Sequence, residues 1–334
     1  MLERLFFVAV LIILLVLYNR FEEHNKKYEE NNNYNAIKEY LLDVDSLAKS
    51  RKPILWIHVP YEYNSRKWVS FGSRTSYDLN QPYLYLTIKS IINKCDDSFT
   101  ICIIDDNSFH KLIPEWSIDM NSISNPILKN MRVLGMLKLL DVYGGMTCPI
   151  SFLCMRDLSV MYSKGTEGDK MFVCETTNRS ITSTLSNYYP SLAFCGAKKN
   201  NKQIKQLIAH VQETMSVDFT SESEFQGNFE QWINSKVNKG INVISGTEIG
   251  VKTSDESPII VDDLMSNNFL SLSKTTFGIF IPADEVLKRN KFMWFARASE
   301  KQVLESNTII GNHILTCIGK SKGKDLTYVM PEHR

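Results

Sequence analysis

Two consecutive glycines stand where an apolar helix hands over to an apolar strand, in Asp141-Val142-Tyr143-Gly144-Gly145-Met146-Thr147-Cys148-Pro149-Ile150-Ser151. Upstream, Ile127 to Val142 is apolar almost all round, which predicts a buried helix rather than one lying on a surface. Downstream, Cys148 to Leu153 predicts a strand. A glycine pair allows the positive φ of a helix carboxyl cap and a close backbone approach to the next strand. A buried helix that passes directly into a buried strand needs cover on both sides, which directs the chain to a layered α/β fold.

The same alternation runs through the first two thirds of the chain. Ile54 to His58 predicts a short strand, Pro82 to Ile92 a helix with its proline in the first turn, and Phe99 to Ile104 a second buried strand ending in Asp105-Asp106-Asn107. Lys170 to Cys174 and Leu192 to Gly196 predict further strands, and Asn201 to Met215 a helix. The carboxyl part is less regular. Pro258-Ile259-Ile260-Val261-Asp262-Asp263-Leu264 repeats the strand-plus-diaspartate pattern, which points to turn chemistry at both places. Leu287 to Gln302, with Arg289, Trp294, Phe295 and Arg297, predicts a packed amphipathic helix; acceptor binding there, with His313, is the alternative reading.

The Tyr143-Gly144-Gly145 segment resembles the helix-to-strand turn of the capsular-polysaccharide-synthesis and Och1-like sugar transferases, glycosyltransferase family 32 and relatives. Arg51 to His58 resembles the opening strand of that family, and Leu192 to Asn200 with the helix after it resembles a later strand and helix. The resemblance is clearest over residues 52–215. It implies a GT-A-like, Rossmann-type three-layer α/β/α domain that binds a nucleotide sugar. In that family an acidic pair follows the glycines and holds a divalent cation against the diphosphate. Here the acidic positions fall on Pro149 and Ser151, and the charged helix positions of the family fall on Val133 and Met136. The chain therefore reads as a degenerate member without the metal site.

Some candidate chemistry remains. Ligands of open α/β sheets lie across the carboxyl ends of the parallel strands, and the resemblance implies nucleotide-sugar binding by Trp56, His58, Asp105, Asp106, Arg132, Gly144 and Gly145. Each has a structural alternative: packing for Trp56 and His58, an Asx turn or helix cap for the aspartates, an ion pair for Arg132, a helix cap for the glycines. Two functions compete. One is a non-catalytic structural or interaction module; the other is an active transferase moving a hexose from a nucleotide sugar, either without metal or with Mn2+ or Mg2+ held by Asp105 or Asp106. P-loop, HExxH, GxSxG and GxGxxG motifs are missing from the sequence, which argues against kinase, zinc-protease and hydrolase readings.

Leu5 to Tyr18 is a run of fourteen uncharged, apolar residues, short of the about 17 to 25 of a usual spanning helix but extendable through Met1, Leu2 and Phe21. A signal-anchor, a cleaved signal peptide and a buried helix are the choices, and the want of a small-residue cleavage site favours the anchor. The expected organisation is an anchor over residues 1–21, a polar stalk with a short helix (Ile37 to Lys49) over 22–51, and the transferase-like domain over 52–334. The Lys and Arg count around the anchor favours a cytosolic domain, whereas the resemblance implies a lumenal one. Seven cysteines without a CxxC read as reduced core thiols. The single sequon, Asn178-Arg179-Ser180, is near chance. A net charge of +1 gives no reason to expect a nucleic-acid partner. Asparagine- and lysine-rich usage suggests large cytoplasmic DNA viruses, with protein partners in a membrane or virion assembly.

Overall fold

Five apolar residues, Ile54–His58, form β1, and the sheet is built outward from it. The computed structural model describes residues 52–60, 81–125, 127–178, 187–217 and 228–318, all within one unit spanning Leu42–Arg334. The anchor expected over Leu5 to Tyr18, the expected stalk and the helix expected over Ile37 to Lys49 lie outside the described residues. Among the described residues no helix is long and apolar enough to cross a membrane.

After β1 come α1 (Tyr83–Cys95), β2 (Thr100–Ile104), α2 (Ser108–Leu112), α3 (Ile127–Tyr143) and β3 (Gly145–Thr147). Then follow β4 (Phe152–Cys154), α4 (Ser159–Gly165), β5 (Met171–Thr177), β6 (Tyr188–Ala197), α5 (Lys202–Val217), α6 (Asn228–Lys236) and β7 (Ile241–Ile244). The main sheet has the order β2-β1-β3-β6-β5-β7. β1 is parallel to both β2 and β3, with Trp56 opposite Cys102 on one side and Thr147 on the other. β6 is antiparallel to β3 and β5, and β5 is parallel to β7. Five strands therefore point one way, and their carboxyl ends share one edge with the amino end of β6.

Side chains alternate across a strand, and both sets are buried. Ile54, Trp56, Cys102 and Ile104 join Leu137 and Leu140 of α3 and Ile204 and Leu207 of α5 in one core. Leu55, Ile57, Ile101 and Ile103 face the other way and are equally covered. The result is the mixed, parallel-rich α/β sheet with both faces covered that continuous apolar strands require.

The carboxyl part makes a second core around α7 (Val261–Leu264), β8 (Gly278–Phe280), α8 (Ala283–Lys288), α9 (Met293–Arg297), α10 (Glu300–Leu304) and α11 (Ile309–Ile318). β8 pairs antiparallel with β4. Tyr83, Leu84 and Leu86 of α1 join the same core, and α1 runs on through a short turn into β2 of the main sheet.

Three expectations need correction. The strand expected over Cys148 to Leu153 is instead the turn between β3 and β4, running into the first two residues of β4; in it Phe152 N donates to Pro149 O at 3.1 Å, and Pro149 has no N–H to continue a ladder. The second diaspartate does not end a strand but opens α7, where the Asp263 carboxylate accepts from Ile260 N at 3.0 Å. The helix expected over Leu287 to Gln302 is broken into α8, α9 and α10.

Candidate functional site at the carboxyl edge of the sheet

His58 closes β1 at the carboxyl edge. Its ring stacks on Phe109 at 5.4 Å with an interplanar angle of 15°, and its Nε2 lies 2.9 Å from Asp106 Oδ1. Asp106 follows β2, the strand beside β1, so the register of the two strands puts the pair together. From α3, Arg132 donates through Nε to Oδ1 at 3.0 Å and through Nη2 to Oδ2 at 2.7 Å. The three side chains are only 13 to 16% exposed. Burial alone would raise the Asp106 carboxyl; the hydrogen bonds and charges of His58 and Arg132 outweigh it and hold the group down at about 2.

Asp105 is spent locally. Its Oδ1 accepts from Ser108 N at 2.8 Å and from Ser108 Oγ at 2.6 Å, a turn that leads into α2. The two neighbouring aspartates thus divide: Asp105 serves a turn, and Asp106 serves a three-residue ionic cluster.

Trp56, Gly144 and Gly145 are not at this edge. Trp56 is fully buried, its Nε1 donates to Gly144 O at 2.9 Å, and its ring meets Tyr143 at 5.7 Å. The indole packs inside the core, with no exposed face. Gly144 (φ 72°) and Gly145 (φ 100°) sit in the left-handed region. They stand at the amino end of β3, across the length of the strand from His58. A Cβ on Gly145 would collide with Ile54 O, and one on Gly144 would lie 2.7 Å from Lys199 N. Their work is to let α3 stop and β3 lie against β1.

The turn that the resemblance singles out does lie at the carboxyl edge. Cys148 N donates to Trp56 O at 2.9 Å, carrying the β1 contact one residue past β3, and Pro149 to Ser151 follow. Pro149 offers no side-chain ligand atom, and Ser151 is 5% exposed with its carbonyl accepting from Ile281 N at 3.0 Å. These residues do not fit a hard divalent cation, which takes carboxylates and other oxygens around an open position. Among the described residues no group of three or more His, Cys, Asp or Glu is placed to hold a metal. Val133 and Met136 pack against the main core.

Sequence reasoning missed a second ionic cluster, at the ends of β5 and β7. Glu175 Oε2 accepts from Gly246 N at 2.9 Å and pairs with Lys252 Nζ at 2.8 Å. The Lys252 ammonium also lies 4.0 Å from the centre of the Tyr188 ring. Glu175 and Lys252 are far apart in sequence, and only the β5–β7 pairing brings them together.

Comparison with known proteins returned the following. No family model matches the chain, and no curated protein matches it. Among solved structures, the glycosyltransferase GlyE of Streptococcus pneumoniae TIGR4 aligns at a TM-score of 0.36 and 9% identity, over 59% of this chain and 46% of that one. The galactosyltransferase LgtC, solved with donor and acceptor sugar analogues, aligns at 0.32 and 11%, over 58% of this chain and 74% of that one. The PaToxG glycosyltransferase aligns at 0.31 and 14%, over 64% and 80%. The chain thus spans less than half the length of the GlyE structure.

Proposed function

We propose that this chain is a glycosyltransferase-like domain that has given up metal-dependent transfer and serves as a non-catalytic structural or interaction module. The observation that supports this most is at the carboxyl edge. Every carboxylate described at the ends of β1, β2 and β3 is committed to a protein partner: Asp105 to Ser108, and Asp106 to His58 and Arg132. The turn after β3 presents Pro149 and Ser151 in place of acidic ligands. A diphosphate leaving group brought to this edge meets neither a cation site nor an unengaged Arg132 guanidinium. On this reading Leu5 to Tyr18 tethers the domain to a membrane, with the domain on the cytosolic side, and its partners are proteins of a membrane or virion assembly.

A second reading, an active transferase working without metal, is favoured by one observation. A histidine held by a carboxylate that an arginine also grips stands at the edge where such folds bind their ligands. The two readings separate in one assay. Purified full-length chain is incubated with UDP- and GDP-hexoses, with and without manganese, and followed for sugar release. The first reading expects no release above the buffer control; steady turnover abolished by His58→Ala would replace it with the second.

A further inference from the structure

Helix α1 is an apolar helix with a polar seam. Thr87, Ser90 and Ser98 lie along the path from its first turn to the turn after it, and all three bond the chain between β3 and α4. Thr87 Oγ1 donates to Ile150 O at 2.5 Å, Ser90 Oγ accepts from Cys154 N at 2.9 Å, and Ser98 Oγ donates to Asp157 Oδ2 at 2.5 Å. Between the last two bonds, Cys95 at the end of α1 meets Cys154 at the end of β4, with the sulfurs 3.8 Å apart and both residues fully buried. The approach of the sulfurs is therefore fixed from both sides by hydrogen bonds that do not involve them.

We propose that Cys95 and Cys154 form a dithiol–disulfide pair, a redox modification site that locks α1 to β4. A disulfide needs a sulfur separation of about 2.05 Å, so the two sulfurs have to close by about 1.8 Å from the contact already present. The co-reactant is a disulfide of low molecular weight or of a protein oxidoreductase. One thiol loses its proton and attacks that disulfide, releasing one thiolate and leaving a mixed disulfide. The second thiol loses its proton and displaces the remaining half as a thiolate. Two electrons pass from the cysteine pair to the oxidant, and the Sγ–Sγ bond forms.

The pair is slow by construction. Burial pushes the Cys154 thiol well above its ordinary range, and Cys95 and Cys148 nearby add to the shift. Exchange therefore proceeds through local opening at the α1–β4 contact rather than on the closed protein. In a reducing compartment the pair stays as thiols; in an oxidising one it closes. On the membrane-tethered reading, on which this consequence rests, the state of these two residues reports which side of the membrane the domain occupies.

The test is disulfide mapping of the full chain in detergent. The protein is equilibrated with oxidised glutathione, alkylated under denaturing conditions, digested and mapped by mass spectrometry, with the reduced protein as reference. The expected result is one linked peptide pair containing Cys95 and Cys154, and a melting temperature raised by several degrees that dithiothreitol returns to the starting value. Cys95→Ala is expected to show no oxidant-dependent rise. Recovery of both cysteines as alkylated thiols, or a link from either one to Cys148, Cys174 or Cys195, would overturn the proposal. The map is read on the wild-type chain and does not depend on the variant folding.

Discussion

Arg132 grips the Asp106 carboxylate with two nitrogens, Nε 3.0 Å from Oδ1 and Nη2 2.7 Å from Oδ2. This fork ties α3 to the end of β2, while His58 takes the same carboxylate from β1. The most polar spot at the carboxyl edge is thus a clamp between three elements. Replacing Arg132 with Met leaves Asp106 short of two hydrogen bonds at a largely buried position. Removing one partner of a fully buried pair costs about 3 to 5 kcal/mol; with partial exposure, a loss of about 2 kcal/mol is expected. Urea denaturation of wild type and R132M measures it.

The same cluster sets an acid dependence. The Asp106 carboxyl is lowered from 3.8 to about 2 in the folded chain, so between those values the unfolded chain binds more protons than the folded one. The stabilisation is complete above the ordinary value and is lost as pH falls through that window. Asp106→Asn removes the titrating group, so its stability is expected to be lower at neutral pH and to fall less steeply on acidification. Denaturant midpoints measured from neutral pH down to the acid limb check both slopes.

Gly145 carries a φ of 100°, and a Cβ there would strike Ile54 O. Gly145→Ala therefore combines left-handed strain of about 1 to 2 kcal/mol with overpacking of about 1 to 3 kcal/mol. A total near 3 kcal/mol is expected from equilibrium unfolding, with no compensating relaxation, because the obstacle is backbone of the neighbouring strand β1.

Ser90 Oγ accepts the Cys154 N–H at a fully buried site. Ser90→Ala leaves that N–H without a partner, and an unsatisfied buried amide costs about 1 to 3 kcal/mol. Exposed Ser235, which caps nothing in the core, is the control and is expected to change little. Paired denaturation curves of S90A and S235A decide the matter.

These residues also show what the sequence could reveal. β1 at Ile54–His58 and the long helix at Ile127–Tyr143 were legible because apolar runs of the right length leave few alternatives. The glycine pair was legible as a cap because few other residues tolerate that conformation. The break at Pro149 was hidden by apolar neighbours on both sides, although the proline itself was the available signal. The polar seam of α1 was not read from the sequence, because the partners of Thr87 and Ser90 lie more than sixty residues further on, at Ile150 and Cys154. The clamp was half legible: Asp106, His58 and Arg132 were each singled out, but only the β1–β2 register and the packing of α3 make them one cluster. The carboxyl part was misread because short helices broken by loops carry too little periodicity to distinguish them from one amphipathic helix.

The central claim is that the turn after β3 holds no cation against a diphosphate, and calorimetric titration tests it most directly. UDP-hexose is titrated into the full-length chain in the presence of manganese and, separately, of a chelator. The account predicts the same absence of saturable heat in both. A saturable, manganese-dependent isotherm that is lost when Pro149 and Ser151 are exchanged for bulkier apolar residues would contradict it.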